Sequence, residues 1–198
     1  MAKETSAGRA LDGAVPVIDI SSYFTGTEAE KRALAQRIDE ACRTIGFLVI
    51  SGHGVPEALG NRMHAVSRAF YDLPDAAKRR YISADQRNYR GYFALGGLAA
   101  AYSLDDRRSA PDYREMFVAG RAAIDPHDAY YTQERAARIF PANIWPNDVV
   151  ADFSTVWSAY YKDMERLAGA MMHLFALALG QPESWFDDKI AKHMSTLP

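Results

Sequence analysis

Four consecutive apolar residues, Phe47-Leu-Val-Ile50, stand between Gly46 and the tripeptide Gly52-His-Gly54. No other stretch constrains the fold as strongly. In a strand, alternate side chains point to opposite faces. Phe47 and Val49 therefore face one way, Leu48 and Ile50 the other, and both faces are apolar. Such a strand calls for cover on both sides, inside a sheet and not at its edge.

The segments around it supply candidate cover. Val15-Pro-Val-Ile-Asp-Ile20 alternates and is β-branched, which predicts a short strand that Pro16 confines to an edge or a strand start. Thr27-Glu-Ala-Glu30 has the capping-box spacing. The helix it opens carries Leu34, Ile38, Ala41, Cys42 and Ile45 on one stripe and ends at Gly46. After His53, Pro56 begins a second helix with Leu59, Met63, Val66 and Phe70 on its apolar face. Leu73–Lys78 starts a third, short helix, residues 83–111 read as irregular chain, and 113–118 as a strand. A long helix is expected from about Val149 to Leu179, where Gly180 caps it and Pro182 blocks continuation. Its final turns are apolar on nearly every face and need burial all round. A last short helix is expected from Ser184 to His193, followed by the strand-like start Met194–Pro198.

Composition narrows the function classes. The 198 residues are 48% hydrophobic and 24% charged, with a net charge of −2. This is globular composition, without the basic surplus of a nucleic-acid binder. The longest apolar-rich stretch, Leu167 to Leu179, is too short to cross a bilayer. No apolar leader opens the chain, so a cytoplasmic location is expected. The single Cys42 reads as a small buried apolar residue in a reducing compartment.

The chemical candidates are few. A two-histidine, one-carboxylate iron site usually has one pair of ligands close in sequence. None of the five histidines (53, 64, 127, 173, 193) starts a His-x-Asp or His-x-Glu triplet. No metal ligand is therefore assigned, and no nucleophile elbow or phosphate loop supplies a catalytic residue. His53 sits between two glycines that permit unusual backbone angles, where its imidazole can bond turn carbonyls and fix the corner between strand and helix. In Arg90-Gly-Tyr92, a glycine separates a fork-shaped cation from a phenol. Arg90 could grip a ligand carboxylate bidentately or pair with a local aspartate; composition leaves both open. Asp112 and Glu115 flank Arg114, and surface ion pairing is expected there. Asn143-Ile-Trp-Pro146 reads as a packing and capping element.

Taken in order, VPVIDIS, a helix, GFLVISGHGVP, FYDLPDAAKRRY, RGYF, DYREMFVAG, FPANIWP and a long helix resemble the N-terminal part of the isopenicillin N synthase-like family of non-haem iron, 2-oxoglutarate-dependent oxygenases. The resemblance runs from about Val15 to Pro198. It implies an α+β fold: a helix-rich module whose few strands would complete a double-stranded β-helix, or jelly roll, with the jelly-roll core itself largely absent. Residues 1–14 would be a flexible arm and 15–198 the dioxygenase N-terminal domain, the catalytic C-terminal domain being missing. The family's Fe(II) ligands, His-x-Asp with a distal His, and its 2-oxoglutarate-binding Arg-x-Ser belong to the part after the long helix, which is expected to be missing here.

The resemblance further implies an oxygenase acting on a small molecule by hydroxylation, desaturation or cyclisation. Fe(II) and 2-oxoglutarate would serve the complete enzyme, and neither is expected to bind this chain alone. Arg90 and Tyr92 match positions that reach toward substrate in some members; His53 matches a structural turn histidine. Apolar surface should lie exposed at Phe47–Ile50 and at the end of the long helix. That surface suggests a catalytic-half polypeptide as partner or self-association, with neither nucleic acid nor membrane involved.

Overall fold

The computed structural model describes residues 14–85, 88–97, 112–121, 124–125 and 127–198. The expected arm lies outside the described residues except for its last residue, Ala14, as does most of the irregular stretch before Asp112. The described chain divides into two compact units. One comprises residues up to Val55 together with Asp163–His193; the other comprises Pro56–Lys162 with Met194–Pro198.

In the first unit, β1 (Val17–Asp19) pairs in parallel with β2 (Val49–Ser51), with Val17 opposite Val49 and Ile18 opposite Ile50. Between them run α1 (Ser21–Thr25), which the sequence did not suggest, and α2 (Glu28–Thr44). The capping box forms as expected: the Glu30 amide donates to Thr27 Oγ1 at 3.3 Å, and the Thr27 amide to Glu30 Oε2 at 2.7 Å. Gly46, at φ +78°, closes α2, its amide reaching back to the Ala41 carbonyl. Ile18, Ile20, Leu34, Ile38, Ala41 and Leu174 form the core.

Cys42 is exposed, contrary to expectation. The buried stripe is Leu34, Ala35, Ile38 and Ala41, and cover stops short of Cys42. The two faces of β2 also differ. Leu48 and Ile50 pack against the core, whereas Phe47 is 71% exposed and Val49 50%. Among the described residues β2 has β1 as its one strand neighbour, so it does not occupy a sheet interior.

In the second unit, α3 (Glu57–Tyr71) is followed by α4 (Asp75–Lys78) and a 3-10 turn over Arg79–Tyr81. β3 (Gly91–Phe93), β4 (Met116–Gly120) and β5 (Thr196–Leu197) form an antiparallel sheet in that order. β3 corrects the reading of this stretch as irregular, and the expected strand at 113–118 lies further along, at 116–120. Two four-residue helices, α5 (Ala129–Thr132) and α6 (Ala136–Ile139), follow β4.

The long helix α7 (Phe153–Ala178) has 26 residues, roughly 39 Å. It starts four residues later than expected. Pro146–Asp152 is a turn in which Asp152 adopts φ 59° and Asn147 Oδ1 accepts from the Ser154 amide at 2.9 Å. α7 contributes its residues to 162 to this unit and the rest to the other. After it come a 3-10 turn, Glu183–Phe186, and α8 (Asp187–Ile190), where one helix was expected.

Phe70, Phe117, Phe153 and Trp157 centre the core of the second unit. Phe70 meets Tyr92 and Phe117 edge-on at ring separations of 5.6 and 5.2 Å. Edge-to-face pairs of this kind add about 0.5–1.5 kcal/mol each beyond the burial of their area.

Candidate functional site

Arg90 and Tyr92 flank Gly91 at the start of β3. Gly91 has φ +81°, and a Cβ there would lie 2.3 Å from the Tyr81 carbonyl oxygen. Only glycine satisfies both the angle and the approach. The strand thus presses against the 3-10 turn, to which Ile82 bridges it, and this contact fixes where its two polar neighbours stand.

Arg90 is 4% exposed. Its Nη1 donates to the Tyr89 carbonyl at 2.8 Å and its Nη2 to the Ile139 carbonyl at 3.3 Å, while Nε has no partner among the described residues. None of these contacts is a carboxylate, and among the described residues no aspartate pairs with Arg90. The guanidinium lies flat against Gly120, where a Cβ would come within 2.2 Å of Nη2. Burial pulls the Arg90 pKa below the usual arginine value, opposed by the Tyr161 phenol. A buried cation held by carbonyls and carrying a spare N–H favours an anionic partner.

Tyr92 is also buried, but its hydroxyl is engaged: it donates to Glu115 Oε2. The same oxygen accepts from Lys78 Nζ at 2.7 Å, and Lys78 also donates to the Tyr71 carbonyl at 3.1 Å. Burial, then the hydrogen bond to Glu115 and its charge, raises the Tyr92 pKa. Glu115 is therefore not a surface partner of Arg114, whose neighbour is Asp112 at 3.4 Å. A signal for this existed: Glu115 lies two residues before the buried Phe117, a spacing that repeats a face in a strand. Asn143, read as a packing element, clamps β4 from the side by exchanging hydrogen bonds with both the amide and the carbonyl of Gly120 at 2.8 and 2.9 Å.

His53 belongs to the other unit. Gly52 and Gly54 hold φ +66° and +70° around it. Its Nδ1 accepts from the Val55 amide at 3.1 Å, and its carbonyl accepts from Arg166 at 3.3 Å. The ring thus bonds an amide of the turn where carbonyls were expected. His64 is exposed on α3. His193 Nε2 lies 2.8 Å from Glu165, and His173 bridges Tyr23 and Asp187.

Among the described residues no three His, Cys, Asp or Glu side chains converge as they would around a metal ion. This donor set does not fit an iron centre of two histidines and a carboxylate. Among the same residues no helix is long and apolar enough to cross a membrane.

Residues 15–148 match the sequence family described as non-haem dioxygenase in morphine synthesis, N-terminal. Validamycin A dioxygenase of Streptomyces hygroscopicus subsp. limoneus is 31% identical over 182 residues, covering 90% of this chain and 47% of its own. Isopenicillin N synthase of Streptomyces griseus is 31% identical over 186 residues, covering 91% and 52%. A full-length Neurospora crassa protein, crystallised with alpha-KG and thymine, superimposes with a TM-score of 0.69 at 23% identity. That match covers 90% of this chain and 53% of the other. The chain spans about half the length of the curated relatives it matches.

Proposed function

We propose, from the premise that this chain belongs to the non-haem dioxygenase N-terminal family, that it is the N-terminal part of an Fe(II)- and 2-oxoglutarate-dependent oxygenase acting on a small molecule. The observation that carries this reading is the family match over residues 15–148, joined by oxygenase relatives about twice as long. When bound, iron and 2-oxoglutarate supply an oxidant able to hydroxylate, desaturate or cyclise an unactivated carbon. In this reading the metal's ligands and the oxoglutarate site lie in sequence outside this chain, and the chain alone is not catalytically complete.

The geometry supports the following roles for the chain's own residues. Arg90 contributes a buried guanidinium with a free Nε donor, suited to hold an anionic group of a substrate. Tyr92 acts as a positioning residue: its bond to Glu115 ties β3 to β4 and fixes the strand that carries Arg90. His53 holds the turn between β2 and α3.

Anaerobic titration of the purified chain with Fe(II) and 2-oxoglutarate tests the division of labour. The expected result is no saturable binding at micromolar concentrations, and tight stoichiometric binding of both would overturn it. In the complete enzyme, Arg90→Met should raise the KM for an anionic substrate while leaving turnover of 2-oxoglutarate without substrate unchanged.

A second reading rests on exposed apolar surface. Val17 (63% exposed), Val49 and Phe47 lie together on the open side of the β1–β2 pair. An open strand edge with apolar side chains invites pairing. In this reading the chain is a non-catalytic module that binds a partner polypeptide or a second copy of itself. Size-exclusion chromatography decides it: a monomer that binds no hydrophobic dye would exclude this reading.

A further inference from the structure

His173, on the part of α7 within the first unit, lies far from any role assigned above. Its ring joins elements that are remote in sequence. Nδ1 is 2.7 Å from the Tyr23 hydroxyl on α1, and Nε2 is 2.7 Å from Asp187 Oδ1 on α8. Glu183 Oε1, on the 3-10 turn, is 3.6 Å from Nδ1. Glu183 also reaches α2, where Lys31 Nζ lies 3.4 Å from its Oε2, 3.4 Å from Glu28 and 5.3 Å from the Tyr23 ring centroid. Among the described residues Tyr23, Glu183 and Asp187 are thus the titratable groups facing His173, with Lys31 and Glu28 next beyond Glu183.

The donor inventory fixes the hydrogen-bond directions. A carboxylate only accepts, so Nε2 must carry the proton shared with Asp187. In the neutral ring Nδ1 is then bare and accepts, and the Tyr23 hydroxyl is the donor. The Glu183 oxygen faces the same lone pair and can make no bond with it. A second proton on the ring reverses this end: Nδ1–H becomes a donor, and the Tyr23 hydrogen must turn elsewhere. Glu183 is the acceptor within reach of both. Its proximity to the phenol also registers in the acidity of Tyr23, which is pushed up to about 12 by burial first and by Glu183 next.

We propose that His173 is a proton-operated clasp, in which uptake of a second proton transfers the Tyr23 hydroxyl from His173 to Glu183 and so re-fastens α1 and α2 to the 183–187 turn.

The test is an NMR titration of the full chain, labelled with 15N in the histidine rings and 13C at tyrosine Cζ. At the high-pH plateau of the titration, where the ring is neutral, His173 should show the Nε2–H tautomer. The Tyr23 Cζ signal should then move with the same midpoint as the His173 ring. That movement should disappear in His173→Gln. In Glu183→Gln it should shrink while the ring still titrates. An Nδ1–H tautomer at high pH, or a Tyr23 signal that stays flat while His173 titrates, would overturn the proposal. Both of these readings come from the wild-type chain and stand even where a variant fails to fold.

Discussion

Replacing Gly91 by alanine should destabilise the second unit more than any other single added methyl. Two costs can be read from the structure. At φ +81° a residue with a Cβ loses about 1–2 kcal/mol relative to glycine. The new Cβ would also lie 2.3 Å from the Tyr81 carbonyl oxygen and 3.1 Å from Ile144 Cδ1. The first neighbour is backbone and cannot rotate away. β3 must shift instead, opening its bridge to Ile82 and its pairing with Val118; overpacking of this kind costs about 1–3 kcal/mol. The sum is about 3 kcal/mol. With a urea m-value of about 2 kcal/mol/M, the midpoint should fall by about 1.5 M. Fluorescence of Trp145 and Trp157, which pack in the same aromatic core, provides the readout. A variant within about 0.5 kcal/mol of wild type, the range of an ordinary surface change, would refute the reasoning.

Gly169→Ala, in the interior of α7 with φ outside the left-handed region and nothing within 4 Å of the added Cβ, should raise stability by about 1 kcal/mol in the same assay. Glu115→Gln strands the nearly buried Lys78 ammonium and should cost about 2–4 kcal/mol in the denaturation midpoint; pairing it with Lys78→Met should cost less than the single change. Asp148 titrates below the ordinary aspartate value, chiefly because Tyr81 donates to it and also because of Arg80. A depressed carboxylate stabilises above its unfolded value and loses that contribution as pH falls through the folded one. The thermal midpoint should therefore drop on acidification below about pH 4, less so in Asp148→Asn. Tyr23 has the opposite sign: its raised value means a contribution present below about pH 10 and lost toward about 12, which ultraviolet titration of the phenol against Tyr23→Phe will resolve.

Much of this fold is written in local patterns. Thr27 and Glu30 announce α2, and Gly46 and Gly180 end helices where their positive φ angles place them. The apolar spacing of α7 identifies it over 26 residues. What was missed depended on partners distant in the chain. β3 is three residues long and carries a glycine. It is a strand because Met116–Val118 pairs with it, and no local propensity discloses that. Cys42 shares a helical face with Ala35, yet one is exposed and the other buried, because cover on that face stops short of Cys42. The two polar residues of RGY were legible as a pair but not as different environments. Tyr92 is satisfied by Glu115, 23 residues away, whereas Arg90 finds carbonyls and keeps one donor free. The Tyr23–His173 bond spans 150 residues and left no trace in the sequence.

On the proposal above, this chain is the N-terminal part of an oxygenase whose metal chemistry resides elsewhere. The most direct measurement is succinate formation from 2-oxoglutarate by the purified 198-residue chain under air with added Fe(II), alone and then mixed with a polypeptide carrying the family's iron and oxoglutarate motifs. The account predicts no iron-dependent succinate from the chain alone, and turnover above that of the second polypeptide when the two are combined. Iron-dependent turnover by the chain alone would contradict it.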